Sequence, residues 1–150
     1  MYPDPRVADL IVTSFHPVRV HVREDAEAWK RLGLELGVQW TPTVLILDSA
    51  GVERHRIEGF LPADDFLAQV SLGLAKAAFS RSDFADAEQR YRAIVDAYPN
   101  TESAAEALYW AGVSKYKATN DPTALQDTAR AFGERYQESS WAKKSSVWRE

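Results

Sequence analysis

Cysteine is absent from all 150 residues. That excludes disulfide exchange, attack by a thiol nucleophile and thiolate ligation of a metal, because each needs a thiolate. Disulfide staples are excluded as well, and a chain of this length needs none to bury a core. Long apolar runs are missing: nowhere do the roughly 18 uninterrupted apolar residues of a membrane-spanning helix occur, so membrane insertion is not expected. Positive charge is not in surplus. With 18 Lys and Arg against 22 Asp and Glu, the net charge is -4, which gives no general attraction to phosphate backbones. Nucleic acid is therefore not an expected partner. The seven glycines are scattered and form no phosphate-cradling loop. His16, His21 and His55 have no carboxylate at metal-ligand spacing, so no metal and no other cofactor is expected. His21 and His55 fall on the polar positions of alternating segments and read as solvated. The segment from Met1 to Val12 has no basic stretch followed by an unbroken apolar one. No secretory leader is read there, and a cytoplasmic location is the expectation for a chain that starts at Met1.

What is present is a globular composition, 45% hydrophobic with five Trp, six Tyr and six Phe. Val7, Leu10, Ile11 and Phe15 recur on one helical face, with Asp4 placed to cap and Pro5 at the first helical position. Val18, Val20 and Val22 then alternate with Arg19, His21 and Arg23, the two-residue period of a half-buried strand. Asp25 is placed to cap a helix carrying Ala28, Trp29, Leu32 and Leu36 and ending near Gly37. After Trp40-Thr41-Pro42-Thr43, the run Val44 to Leu47 reads as a strand covered on both faces. Turn chemistry at Asp48-Ser49-Ala50-Gly51 returns the chain through a second strand, Val52 to Ile57, in an antiparallel hairpin that Gly59 stops. A helix from Pro62 to Phe79 carries Phe66, Val70, Leu74 and Ala77. Helices over 83–98, 102–118 and 123–136, and one beginning at Trp141, complete the chain.

From Tyr2 to Phe79 this order resembles the thioredoxin fold from the end of its active-site helix onward. The resemblance is carried by Val38-Gln39-Trp40-Thr41-Pro42-Thr43-Val44-Leu45-Ile46-Leu47-Asp48, then Gly51 and Arg56-Ile57-Glu58-Gly59. These residues look like that family's cis-proline loop, its following strand, the hairpin turn and the strand that ends in glycine. Upstream, Tyr2-Pro3-Asp4-Pro5-Arg6-Val7 is similar to the stretch that follows the CxxC motif in relatives. The resemblance nominates Trp40, Thr41, Pro42 and Gly59 for contact with an extended peptide. Core packing is the alternative role for Trp40.

From Phe66 to Ser140 the chain is similar to tetratricopeptide repeats, or to the related helical-hairpin repeats of bacterial envelope proteins. Leu74, Ala75, Ala78, Ala87, Tyr91, Ile94 and Pro99 sit where that motif wants small residues, an aromatic and a terminating proline. A second copy, displaced by about 38 residues, pairs them with Gly112, Val113, Tyr116, Leu125, Ala129, Phe132 and Tyr136, with Gln137 in place of the proline. Tyr109, Trp110 and Tyr116 are candidate partner contacts within an aromatic cluster that also includes Phe132, Tyr136, Trp141 and Trp148. Packing between helices is the plainer role for that cluster.

The expected architecture is α/β giving way to all-α. An incomplete thioredoxin-like lobe of three strands with helices spans 1–79, and helical hairpins of tetratricopeptide type span 80–150. In the thioredoxin family a central strand leads into the redox helix and lies between the strands matched by Val18 to Val22 and Val44 to Leu47. No segment here corresponds to it. The expectation is a redox-inert, late-starting part of a thiol-disulfide oxidoreductase that binds at most a peptide or protein, or self-associates through an exposed sheet edge. The alternative is a cysteine-less protein-binding adaptor.

Overall fold

The first helix forms where capping chemistry places it. In the computed structural model, which describes residues 3–149, α1 spans Pro5–Ser14, and the Asp4 carboxylate accepts the Arg6 backbone N–H at 2.9 Å. Tyr2, where the thioredoxin resemblance begins, and Met1 and Glu150, the ends of the two expected halves, lie outside the described residues. Val7 is buried, and Leu10, Ile11 and Phe15 pack around it, so the predicted stripe is the face that docks on the rest of the molecule.

The predicted strand at Val18 to Val22 does not form. Residues 15–21 have no regular structure and 22–25 form a turn. Local polar bonds account for the turn. The His21 N–H donates to the Asp25 carboxylate at 2.8 Å, and His21 Nδ1 accepts the Glu24 N–H at 3.1 Å. Side-chain bonds of this kind offer the backbone an alternative to a sheet ladder. No described strand lies alongside, and Val18 is 84% exposed. The Asp25 carboxylate is spent on His21, so it does not cap the helix that follows, α2 (Ala26–Glu35). That helix has no buried residue and packs against no other described element.

The sheet therefore has two strands among the described residues, not three. Strand β1 (Thr43–Leu47) pairs antiparallel with β2 (Glu53–Glu58), with a bulge after Ile46. Asp48 builds the turn by accepting the Ala50 and Val52 N–H groups at 2.9 and 3.0 Å, and the Val52 bond leads the interactions that hold its carboxyl below the usual range. Gly51 supplies a positive φ of 80°.

The long helix α3 (Ala63–Ser80) joins the two parts of the molecule. The sequence assigns it one apolar stripe, but it is buried on more than one side. Phe66, Leu67 and Val70 pack with Ile46, Ile57 and Val7. Ala68, Leu72, Ala75 and Ala78 enter the larger core of the helices that follow. Gly73 permits the close approach to the hairpin, since a Cβ there would lie 2.3 Å from Ile46 Cδ1.

Stacked helical hairpins complete the chain: α4 (Phe84–Ala97), α5 (Glu102–Thr119), α6 (Thr123–Glu134) and α7 (Ser140–Ser145), closed by a 3-10 turn at Ser146–Trp148. Ser82 and Asn120, which separate the two helices of successive hairpins, both take left-handed backbone. Gly112 lets α5 meet α6, because a Cβ would lie 2.0 Å from Thr128 Oγ1. Where the second copy has Gln137 for Pro99, the Tyr136 hydroxyl donates to the Pro99 carbonyl at 2.6 Å and ties one inter-helix loop to the next.

Candidate functional site

The loop before β1 brings together three of the four residues nominated for peptide contact and places the fourth beside them. Trp40 is 69% exposed, so its indole is not taken up by core packing. Thr41 and Pro42 are exposed and joined by a cis peptide bond. The Thr43 hydroxyl donates to the Trp40 carbonyl at 2.7 Å and folds the loop onto the start of the strand. Across the hairpin, the Gly59 N–H donates to the Pro42 carbonyl at 2.8 Å. Gly59 has φ near 85°, which a residue without Cβ adopts at no steric cost.

That Gly59 to Pro42 bond fixes the phase of the ladder. Directly opposed residues in an antiparallel pair alternate between hydrogen-bonded and non-bonded. With Val44 opposite Ile57 and Ile46 opposite His55, the backbone groups of Val44 and Ile46 point toward β2. Those of Thr43 and Leu45 point the other way, to an edge that no described strand occupies. β1 is uncharged along its whole length. The face shared by Leu45 and Leu47 is the one away from α3, and Leu47 is 40% exposed. Arg56, opposite Leu45, extends from β2 to donate to the Leu36 and Gly37 carbonyls just past α2.

On the opposite face the structure corrects the expectation for His55. Its ring is not solvated: it lies against α3, with Nε2–H donating to the Gln69 Oε1 and Nδ1 accepting from Lys76 Nζ at 3.1 Å. Burial, reinforced by the Lys76 charge, pushes this imidazole below its ordinary value, which keeps it neutral and an acceptor for Lys76. Lys76 Nζ in turn lies 3.1 Å from Glu106 on α5. A polar chain thus runs from the hairpin, through α3, to the helical hairpins.

The aromatic residues of the second half form a ladder of rings. Phe84, Phe79, Trp110 and Tyr109 follow one another edge to face at centroid distances of 5.1, 5.3 and 5.5 Å. Tyr109 then meets Trp141 at 5.2 Å and stacks on Trp148 at 4.7 Å. Tyr109 and Trp110 are half-buried and share this ladder, whereas Tyr116 lies further along α5 and its ring joins none of these contacts. Phe132 belongs wholly to the core. Sequence reasoning missed Lys76 and Glu106, since no local spacing rule pairs charges on alternate helices.

Among the described residues no helix is long and apolar enough to cross a membrane. Residues 3–72 match the family model described as thioredoxin-like domain. Residues 53–145 match the one described as outer membrane lipoprotein. The two overlap over 53–72, which is β2 and the first part of α3, the same helix that enters both cores. No curated protein and no solved structure matches the chain. With more than half of its length matched, the chain belongs to the outer membrane lipoprotein family through its tetratricopeptide-like helices, which continue from a thioredoxin-like domain that has no cysteine.

Proposed function

We infer that the chain is a redox-inert protein-binding module, and that its thioredoxin-like half takes an extended segment of a partner as an added strand beside β1. Trp40, Thr41 and Pro42 contact that segment at one end of the strand, with Gly59 bracing the loop. One observation carries this reading: an uncharged, largely apolar strand presents the backbone groups of Thr43 and Leu45 at a sheet edge that no described strand occupies. Such an edge is a template for strand addition. A second copy serves as the partner when none other is supplied, because an uncharged strand meets its own copy without like-charge repulsion.

Sedimentation over a concentration series tests this. The chain is expected to associate as concentration rises, and Leu45→Pro, which removes an outward-pointing N–H and leaves the β2 ladder in place, is expected to hold it monomeric. A wild-type chain that stays monomeric at every concentration overturns the reading.

A second reading assigns the added strand to a longer polypeptide. In it the chain is the redox-inert part of a thiol-disulfide oxidoreductase in which the strand that leads into the CxxC helix fills the place beside β1. What supports it is α2, which carries the apolar residues Trp29 and Leu32 yet packs against no other described element. The mass of the polypeptide in its native source decides between the readings. A product longer at its N-terminus and containing a CxxC supports the oxidoreductase, and a native mass equal to the 16.9 kDa of this chain sinks it. For either reading we divide the chain into a thioredoxin-like lobe over 1–79 and helical hairpins over 80–150, with α3 as the shared wall.

A further inference from the structure

A cavity of about 240 Å³ opens among the helices, with Lys76, Phe79, Tyr91, Glu106, Trp110 and Trp141 in its wall. It is separate from the β1 edge. Residues from α3, α5 and α7 form its sides, and Tyr91 enters from α4. Three aromatic rings make the wall apolar, and Phe79 and Trp110 are already set edge to face. Small-molecule pockets run to about 300–1,000 Å³. This one is smaller and has the scale of a single large side chain.

The polar groups of the cavity differ in how far they are satisfied. Lys76 is engaged by both His55 and Glu106. Tyr91 is only 1% exposed, and its hydroxyl has no hydrogen-bond partner among the described residues. No fully buried side-chain oxygen or nitrogen among those residues lacks a partner. The Tyr91 hydroxyl, having none, is therefore the part of that residue that reaches the cavity. Burial and the nearby Glu106 carboxylate keep its phenol protonated far above the usual tyrosine range. A protonated hydroxyl at the floor of an aromatic pocket can both donate and accept.

Charge narrows the ligand. Aromatic walls suit a cation in general, but Lys76 lines this cavity and Lys144 already sits 3.9 Å over the Trp141 ring. Glu106 opposes an anion. A neutral aromatic body with a polar tip fits both facts. Between indole and phenol, only phenol can donate to Glu106 and accept from Tyr91 together, since the indole N–H only donates.

We propose that this cavity receives one tyrosine side chain presented by a protein partner, its ring against Phe79, Trp110 and Trp141 and its hydroxyl bonded to Tyr91 and Glu106. The probes are N-acetyl-tyrosinamide and N-acetyl-phenylalaninamide, titrated against the 150-residue chain while the indole N–H signals of Trp110 and Trp141 are followed by NMR. The tyrosine amide is expected to bind more tightly than the phenylalanine amide by at least roughly three- to tenfold, the worth of one of its two hydrogen bonds. Tyr91→Phe loses no hydrogen bond within the chain and is expected to fold normally. It should bind the phenylalanine amide as wild type does and keep only the part of the preference for tyrosine that the bond to Glu106 supplies. Leu45→Pro, which disables the β1 edge, should leave the preference intact, so this site and the edge succeed or fail separately. Three results overturn the proposal: no saturable shift of the two indole signals, equal affinity for the two amides, or a preference that is undiminished in Tyr91→Phe.

Discussion

Helices α2 and α6 have similar length, and both carry an apolar stripe on an otherwise polar surface. They end up in opposite situations. α6 lies against α5 and α7 and buries Ala124, Thr128, Ala129 and Phe132, while α2 lies against no described element and buries nothing. An amphipathic pattern makes a helix possible, but most helical stability comes from the surface that receives the stripe. α6 has that surface because α5 presents Gly112 at the closest approach. For α2 the receiving surface would be the outer face of the sheet, which among the described residues is two strands wide. The contrast extends to the whole molecule: before residue 62 the only buried hydrophobic residues described are Val7, Ile46 and Ile57.

The comparison breaks first at Phe132, which is fully buried. Phe132→Ala is expected to cost about 3–5 kcal/mol, a large share of the 5–15 kcal/mol that holds a domain folded. A urea melt followed by far-UV circular dichroism measures it, and a loss under about 1 kcal/mol would mean that the helical hairpins are far looser than their burial implies. The next largest effect is at the glycines. Gly112→Ala places a Cβ 2.7 Å from Thr128 Cβ, and Gly73→Ala places one 3.2 Å from His55 Cβ as well as against Ile46. Each is expected to cost about 1–3 kcal/mol by overpacking. They sharpen the comparison because they act on different contacts. Gly112→Ala separates α5 from α6, and Gly73→Ala lifts the hairpin from α3 and should raise amide exchange at Ile46 and Ile57 before it affects the helices.

Much of this was legible in the sequence, for reasons that differ by residue. Asp4-Pro5, Asp48 to Gly51 and the helical stripes are local signals, and local chemistry realises them. Val18 to Val22 carries an equally clear local signal and fails, because a strand also needs a neighbour, and the side chains of His21 and Asp25 tie the segment into a turn instead. His55 reads as solvated from alternation. Alternation separates two faces without saying which is inside, and α3 packs on the face that carries His55. The cavity was out of reach, since Lys76, Tyr91 and Glu106 converge only when three helices stack. Trp110 was within reach as one ring of an aromatic cluster.

His55 gives a smaller effect that joins the two regions. Its folded-state value lies below the ordinary 6.5, so beneath that pH the unfolded chain binds the proton more readily than the folded one. Stability from this group is therefore complete above about pH 6.5 and is lost as pH falls from there toward the depressed value. The groups that set it are Lys76 and Gln69 on α3, Glu106 on α5 and Glu53 on β2. Urea melts of wild type and His55→Gln between pH 7 and pH 5 should diverge, with wild type losing more stability. Parallel curves would mean that the imidazole is free to protonate in the folded chain.

The smallest expected effect tests the weaker side of the comparison. Trp29 is the largest apolar residue of α2; it is half-buried, its ring lies over Gly33 one turn along the same helix, and α2 packs against no other described element. Trp29→Ala in the monomeric chain is therefore expected to change stability by no more than about 0.5 kcal/mol, as for a surface position. The same substitution at Phe132 removes a ring from a closed core, so the ratio of the two losses measures how unequally the regions are packed. Filling the β1 edge should change that ratio. A sheet widened by one strand gives α2 a surface to cover, and Trp29→Ala should then become costly at concentrations where the chain associates. If Trp29→Ala already costs more than about 2 kcal/mol in the monomer, α2 has a partner surface of its own, and the open edge is not what leaves it uncovered.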